Sequence, residues 1–339
     1  MVVAKKFLLA KHFQGEPKEN DFQMVEETLP SIKDGEYLVE AVFLSVDPYM
    51  RAYAHNIPEG SLMVGGQIGK ILESKNSKFP VGKYVFGDFG WCSYTINDGN
   101  APDRKGPRIS PPFVLPDFGN VPLSVGLGAL GMPGLTAYFG FLDICKPKPG
   151  ETVCVSGAAG AVGSLVGQIA KIKECKVIGI AGSDEKGSYL TDVLGFDKFV
   201  NYKKDNIDKK LTEIAKDGID CYFDNVAGEI STTVMKHMNI KGRVSVCGSI
   251  SSYNFDYVHD PPKVTVPFPY ILNKNLHLQG FQSSLYIHRF NECFTQMLQW
   301  INQKKIRHPE TITTGFENMP KAFIEMLQGK NLGKAIVKV

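Results

Sequence analysis

The chain has 339 residues, 43% of them hydrophobic and 22% charged, with a formal net charge of +3. That length favours two domains with ordinary globular cores, and the charge is too small to point to nucleic acid or an anionic membrane as partner. No apolar run is long enough to span a membrane, residues 1–9 lack a signal peptide's apolar stretch, and the seven cysteines are scattered without a Cys-x-x-Cys pair, so a cytoplasmic protein is expected.

To about residue 125 the sequence shows short β-like runs at 37–46, 66–72 and 82–87, broken by Gly and Pro. Many short strands with such punctuation predict an all-β, barrel-like module. The Pro- and Gly-rich stretch 100–122 reads as a long loop. From about residue 130 strand-like runs alternate with helical periodicity, the pattern of a parallel sheet built from βαβ units. Strands are predicted at 153–155, 176–180, 198–201, 219–224, 243–247 and 276–281. Helices are predicted from 161, then at 185–194, 206–216, 229–238 and 289–304. The stretch 249–275 breaks this rhythm with Pro261, Pro262, Pro267 and Pro269, and an irregular segment of that length in a compact domain is usually functional or disordered. A tail helix at 320–328 and a closing strand at 335–339 are expected to return to the first module.

The stretch around which the chain is organised is Val153-Cys154-Val155-Ser156-Gly157-Ala158-Ala159-Gly160-Ala161-Val162-Gly163-Ser164. A buried strand ends in three glycines, and a helix follows whose Val162, Leu165, Val166, Ile169 and Ala170 share one face. Glycines remove the Cβ atoms that would block a pyrophosphate, and the helix N-terminus attracts the anion. A dinucleotide is therefore the expected ligand. An NAD site usually puts an acidic residue at the tip of the second strand. Here the tip is Ala181-Gly182-Ser183-Asp184-Glu185-Lys186, small and neutral with a lysine within one turn, which favours NADP. Asp184 and Glu185 speak against it unless they serve the helix dipole, and Lys186 alone could be a solvated surface lysine. Asn225, at the end of the fourth strand, is equally compatible with a cofactor contact and a turn. The segment Cys247-Gly248-Ser249-Ile250-Ser251-Ser252-Tyr253 leaves the next strand where the nicotinamide half would lie. The seven histidines form no ligand spacing with the cysteines, so no zinc is expected, and a carbonyl would be polarised by hydroxyls or backbone donors. Tyr49, Tyr53, Tyr253 and Tyr270 are the candidates, each also explicable as a packing residue.

These motifs resemble the zinc-independent medium-chain dehydrogenase/reductase family over nearly the whole chain. The likeness is carried by Val46-Asp47-Pro48-Tyr49-Met50-Arg51, Gly131-Met132-Pro133-Gly134-Leu135-Thr136-Ala137-Tyr138, the glycine turn, Tyr222-Phe223-Asp224-Asn225-Val226, Gly315-Phe316-Glu317-Asn318-Met319-Pro320 and Asn331-Leu332-Gly333-Lys334. It implies an α/β fold: a GroES-like, mostly-β catalytic domain over 1–129, completed by 305–339, and a Rossmann domain with a doubly wound parallel sheet over 130–304. It also implies a homodimer and NADP(H) without zinc. The cofactor would be held by Gly160, Ala161, Val162, Gly163, by Lys186 and Tyr202 at the 2′-phosphate, and by Asn225. The segments 247–253 and Phe281-Gln282-Ser283-Ser284-Leu285-Tyr286-Ile287, with Asn331, complete that set. The implied reaction is reduction of the C=C bond of enone and enal lipids, by hydride to the β-carbon and protonation of the resulting enolate at the α-carbon; the alternatives are a zinc-free NADPH quinone reductase and a non-catalytic NADPH-binding protein. In the double-bond reduction Tyr270 is expected to supply a hydroxyl to the oxyanion, with Tyr253 second and Tyr49 lining the pocket. The chain departs from the family near 100–112 and 254–274, which leaves the substrate range least determined.

Overall fold

The computed structural model describes residues 2–101, 111–255, 265 and 267–339. Pro261, Pro262 and most of the 100–112 stretch lie outside the described residues. The chain divides into two units, Met1–Leu127 with Glu310–Val339, and Gly128–Pro309.

The first unit is built on the strand Tyr37–Val46. Its Leu38, Val39, Ala41, Leu44 and Val46 are buried, so ten extended residues are held by their apolar side chains. Gln67–Ser74 pairs with it antiparallel, followed by Tyr84–Gly87 and Phe113–Val114. The other edge is shared: Tyr94–Asn97 pairs with its first half and Lys334–Lys338 with its second. Lys334–Lys338 also pairs in parallel with Glu310–Thr314. Below lies an aromatic core in which Trp91 stacks on Phe22 at 5.3 Å and meets Phe323 edge-on at 5.7 Å.

The second unit is a six-stranded parallel sheet. From edge to edge the strands are Lys198–Asn201, Lys176–Ala181, Thr152–Ser156, Ile219–Asp224, Met238–Val246 and His277–Gly280. The order is thus third, second, first, fourth, fifth and sixth, the doubly wound arrangement. Every residue of Thr152–Ser156 is buried, which is why that strand is a continuous apolar run rather than an alternating one.

The second unit departs from the sequence expectations at three places. The helix expected at 185–194 is α-helical only over Asp184–Ser188 and widens to a π-turn over Tyr189–Val193. The strand expected at 243–247 begins at Met238, with a bulge that pairs Ile219 with Met238 but Cys221 with Arg243. Within 249–275 a helix, Phe268–Lys274, follows Pro267 and carries Pro269 in its first turn. Proline breaks a helix interior but suits a first turn, where its missing N–H has no helical partner to lose.

Candidate functional site

The strand order reverses between Thr152–Ser156 and Ile219–Asp224, and in open α/β sheets ligands bind beyond the strand ends at such a point. Gly157 leaves the first of these strands with φ +58°, and a Cβ on Gly163 would lie 2.4 Å from the carbonyl oxygen of Gly157. Only glycine at 163 lets the helix Ala161–Ile172 start this close to the turn. Its N-cap is Gly160, which has no side chain to cap the first N–H groups. These groups are left for a ligand anion, with the dipole of a twelve-residue helix behind them. Gly160, Ala161, Val162 and Gly163 form this shelf.

Across the crevice Asp224 organises the facing strand end. Its Oδ1 accepts from Ser156 Oγ (3.1 Å), Tyr222 Oη (2.8 Å) and the N–H groups of Val226 (3.0 Å) and Ala227 (2.9 Å). Burial, and then the Asp224 charge, push the Tyr222 hydroxyl well above the usual tyrosine range, so it stays a donor. Asn225 is locked against Ser156: its N–H donates to Oγ at 3.0 Å and its Nδ2 to the carbonyl oxygen at 2.7 Å. The structure therefore brings Asn225 beside the glycine turn, and its backbone carbonyl accepts from Ile250 N–H at 3.4 Å. Ala227 has φ +61° and ψ −161°, a conformation that costs a non-glycine residue about 1–3 kcal/mol and is held by its bond to Asp224. Sequence reasoning missed the part played by Asp224. An aspartate closing an apolar strand before a turn was the available signal.

The next two segments are stitched to this shelf. Cys247 and Gly248 donate to the Asp224 carbonyl at 2.8 and 3.1 Å, and Ser251 donates to that of Val226 through both its N–H (3.1 Å) and Oγ (2.6 Å). Ile250–Ser252 forms a single 3₁₀ turn, and a Cβ on Gly248 would lie 3.3 Å from Tyr253 Oη. The 281–287 segment is anchored by rings. Phe281 lies so close to Gly140 that a Cβ there would meet it at 2.1 Å, and Tyr286 stacks on Phe139 at 4.8 Å. Arg289 fixes its end, bonding Asp143 at 2.5 Å and lying 4.2 Å above the Phe139 ring.

At the second strand's tip, Ser183 Oγ caps its helix by accepting from Lys186 N–H at 3.2 Å. Lys186 is half-buried, and burial first, then the charge of Lys203, lower its pKa. Tyr202 is 44% exposed, and its ring covers Gly182 closely enough that a Cβ there would meet Oη at 2.9 Å.

Tyr253 stands at the C-terminal ends of the strands, but Tyr270 does not. It packs on the apolar cluster behind the sheet, one turn before Lys274, whose Nζ donates to the carbonyl of Met238 at 2.5 Å. Met238 is the first residue of its strand. Asp208, and more weakly Tyr270, hold Lys236 above the usual lysine range, and Lys236 ends the helix that precedes that strand. Tyr270 therefore lies towards the strand starts, away from the glycine turn. Tyr49 belongs to the first unit, where its ring is 5.8 Å from that of Tyr53. Asn331, also there, donates from Nδ2 to the Gly333 carbonyl at 2.8 Å. Among the described residues no three His, Cys, Asp or Glu side chains gather as a metal site.

Residues 5–104 match the family model described as the N-terminal domain of oxidoreductase, and residues 161–303 the one described as zinc-binding dehydrogenase. Prostaglandin reductase 1 of Rattus norvegicus is 49% identical over 341 residues, covering the whole of both chains. The NADP(+)-dependent 2-alkenal reductase of Nicotiana tabacum is 36% identical over 350 residues, 99% of this chain and 97% of its own. The crystal structure of CurA in complex with NADPH from Vibrio vulnificus superposes with a TM-score of 0.90 at 37% identity, covering 99% of each chain. With such likeness from end to end, the chain belongs to the medium-chain dehydrogenase/reductase family, in the branch that holds the prostaglandin reductases.

Proposed function

We propose that this protein uses NADPH to reduce the carbon–carbon double bond of α,β-unsaturated ketones and aldehydes. The observation that carries the proposal is the switch-point shelf: an uncapped helix N-terminus at Gly160, Asn225 locked beside it, and Lys186 just past the tip of the second strand, with the charge of Lys203 acting on it from the turn after the third. These residues fit a dinucleotide with a 2′-phosphate. Relatives named for prostaglandin, 2-alkenal and NADPH support the substrate and cofactor classes.

When bound, NADPH supplies a hydride from the nicotinamide to the β-carbon of the substrate. The protein's own tasks are to orient the enone and to stabilise the charge that develops on its oxygen. Tyr253 is the hydroxyl we assign to that oxygen, because it lies at the strand ends beside Gly248, whereas Tyr270 lies at the other end of the sheet. Tyr49 and Asn331 remain assigned to substrate and cofactor by resemblance, and each is tested by its own substitution. Phe255, 42% exposed two residues beyond Tyr253, suits an apolar chain on the substrate. The test follows NADPH oxidation at 340 nm with a 15-keto-prostaglandin and with a 2-alkenal, beside a quinone and an NADH control. Turnover of a quinone alone would reject the double-bond reaction. Tyr253→Phe is expected to lower kcat about tenfold to a thousandfold, and unchanged kcat and KM would remove Tyr253 from the mechanism.

The quaternary proposal is a homodimer formed along His277–Gly280. That strand is the last of its sheet and exposed at all four residues, and Leu285 (68%) and Ile287 (47%) are exposed in the segment that follows. An open edge with apolar neighbours favours pairing. A monomer mass by sedimentation at micromolar concentration would exclude it. All seven cysteines are free thiols and none of the described helices is long and apolar enough to cross a membrane. Both suit the cytoplasmic location we propose, which fractionation of cells would test.

A further inference from the structure

A carboxylate two residues before Lys186 is an obstacle to binding a 2′-phosphate, and the structure shows what becomes of it. Asp184 turns to the neighbouring strand, where Asn201 Nδ2 donates to its Oδ1 at 2.6 Å and Lys204 Nζ donates to its Oδ2. Asn201 is itself fixed. It is 2% exposed, its N–H donates to Asp205 at 2.8 Å and its Oδ1 accepts from Lys203 N–H at 3.1 Å. One asparagine side chain thus holds Asp184 with its amide and the backbone of Lys203 with its carbonyl. Lys203 is near enough to Lys186 for its charge to act there. The bonds from Lys204 and Asn201 keep Asp184 ionised below the usual carboxylate range, so the charge stays but is engaged by these two side chains. The charge of Lys203 thus acts on Lys186, while the carboxylate that would oppose a dianion is engaged by Asn201 and Lys204.

We propose that Asn201 and Lys204 set the choice of cofactor by holding Asp184 off the ribose, leaving Lys186 and Lys203 to take the 2′-phosphate. The inference rests on the NADPH reading above. Asn201 and Lys204 are positioning residues, and Lys203 is a phosphate ligand.

The test is calorimetry of the unliganded protein with adenosine 2′,5′-bisphosphate and with 5′-AMP, which lacks the 2′-phosphate. Equal affinity of the wild type for both would sink the NADPH reading itself. Given a preference for the bisphosphate, Lys204→Met is expected to weaken it about threefold to tenfold, as a freed carboxylate a few ångströms away in a solvated site would. Its 5′-AMP affinity should stay within about twofold. Asp184→Asn should change little alone, and combined with Lys204→Met it should restore the bisphosphate affinity. Lys204→Arg, which keeps the pair, should resemble the wild type. Asn201→Asp should weaken the bisphosphate, and Asp184→Asn should rescue it by swapping donor and acceptor. A loss with Lys204→Met that persists in the Asp184→Asn background would make Lys204 a direct phosphate ligand and overturn the proposal. So would no loss at all with Lys204→Met, and an unchanged Lys203→Met would remove Lys203 from the site.

Discussion

Replacing Asp224 by alanine removes one oxygen on which four donors converge, and the cost follows from their burial. The Tyr222 and Ser156 side chains are 0% exposed, so neither hydroxyl can turn to water. A stranded buried donor costs about 1–3 kcal/mol, or about 2–6 kcal/mol for the two. Part returns when Ala227, no longer tethered, leaves its left-handed conformation, a relief of about 1–3 kcal/mol. Taken at their central values, these leave a net loss of about 2 kcal/mol. At about 2–4 °C per kcal/mol for a unit of this size, that lowers Tm by about 4–8 °C, readable by scanning calorimetry. Asp224→Asn keeps an acceptor oxygen in place and should lose about half as much. Because Asn225 is held through Ser156, whose hydroxyl donates to Asp224, binding of adenosine 2′,5′-bisphosphate should weaken in the same order. Equal Tm values for Asp224→Ala and wild type, or a larger loss in Asp224→Asn than in Asp224→Ala, would refute this account of the strand end.

The pH dependence of bisphosphate binding has a fixed sign. Lys186 loses its proton at lower pH than an ordinary lysine because it is half-buried near Lys203, so affinity should fall as pH rises through that lowered pKa. It should also fall below about pH 6 as the phosphate dianion is protonated to the monoanion; Lys186→Met should abolish only the alkaline limb, and calorimetry across pH reads both. In the first unit, Lys334 (3% exposed side chain) bonds Asp47 at 2.9 Å and the Val46 carbonyl at 2.6 Å. Lys334→Met leaves Asp47 buried without its cation and should cost about 3–5 kcal/mol in urea unfolding, part of it regained by adding Asp47→Leu. Arg289→Ala should raise the NADPH Kd severalfold with little change in kcat, by freeing the 281–287 segment. Arg289→Lys should not rescue it, because one ammonium cannot replace a guanidinium shared by Asp143, Glu292 and the Phe139 ring.

The parts of the fold legible in the sequence were those that local pattern alone determines. Tyr37–Val46, Lys198–Asn201 and Ile219–Asp224 fall where the apolar runs predict, because each is bounded by turn residues and the first and last are buried along most of their length. The helix Met132–Phe139 gave no such signal. It is buried on nearly every side, so it has no polar face to create a 3.6-residue period. The fate of Asp184 was illegible for another reason. Its partners lie 17 and 20 residues away, at the end of the next strand and in the turn after it, and only the pairing of Lys198–Asn201 with Lys176–Ala181 brings them beside it. From the sequence alone Tyr270 ranks ahead of Tyr253 as the hydroxyl, both being letters in one irregular stretch. The difference is that one leaves a strand and the other precedes one, which matters only once the sheet has two ends.

The motifs that carry the family likeness do two kinds of work, and the division says what the likeness can imply. In the first unit, Asp47 and Lys334 lie in separate motifs yet form one buried pair. Arg51, 1% exposed, holds the Gly15 carbonyl at 2.9 Å and lies 5.2 Å above the Phe13 ring. These residues close a core around the tail strand, so sharing them with a relative implies a shared frame. In the second unit the glycine turn and Asp224–Asn225 shape a shelf, and sharing them implies a shared cofactor geometry. Neither set selects a substrate. Selection must come from side chains beyond the shelf, and the exposed stretch around Tyr253 and Phe255 lies next to the region where the sequence departs from the family. The substrate preference of this chain should therefore diverge from that of its relatives more than its cofactor preference does. The ratio of prostaglandin to alkenal turnover, compared with the ratio of NADPH to NADH, measures that directly.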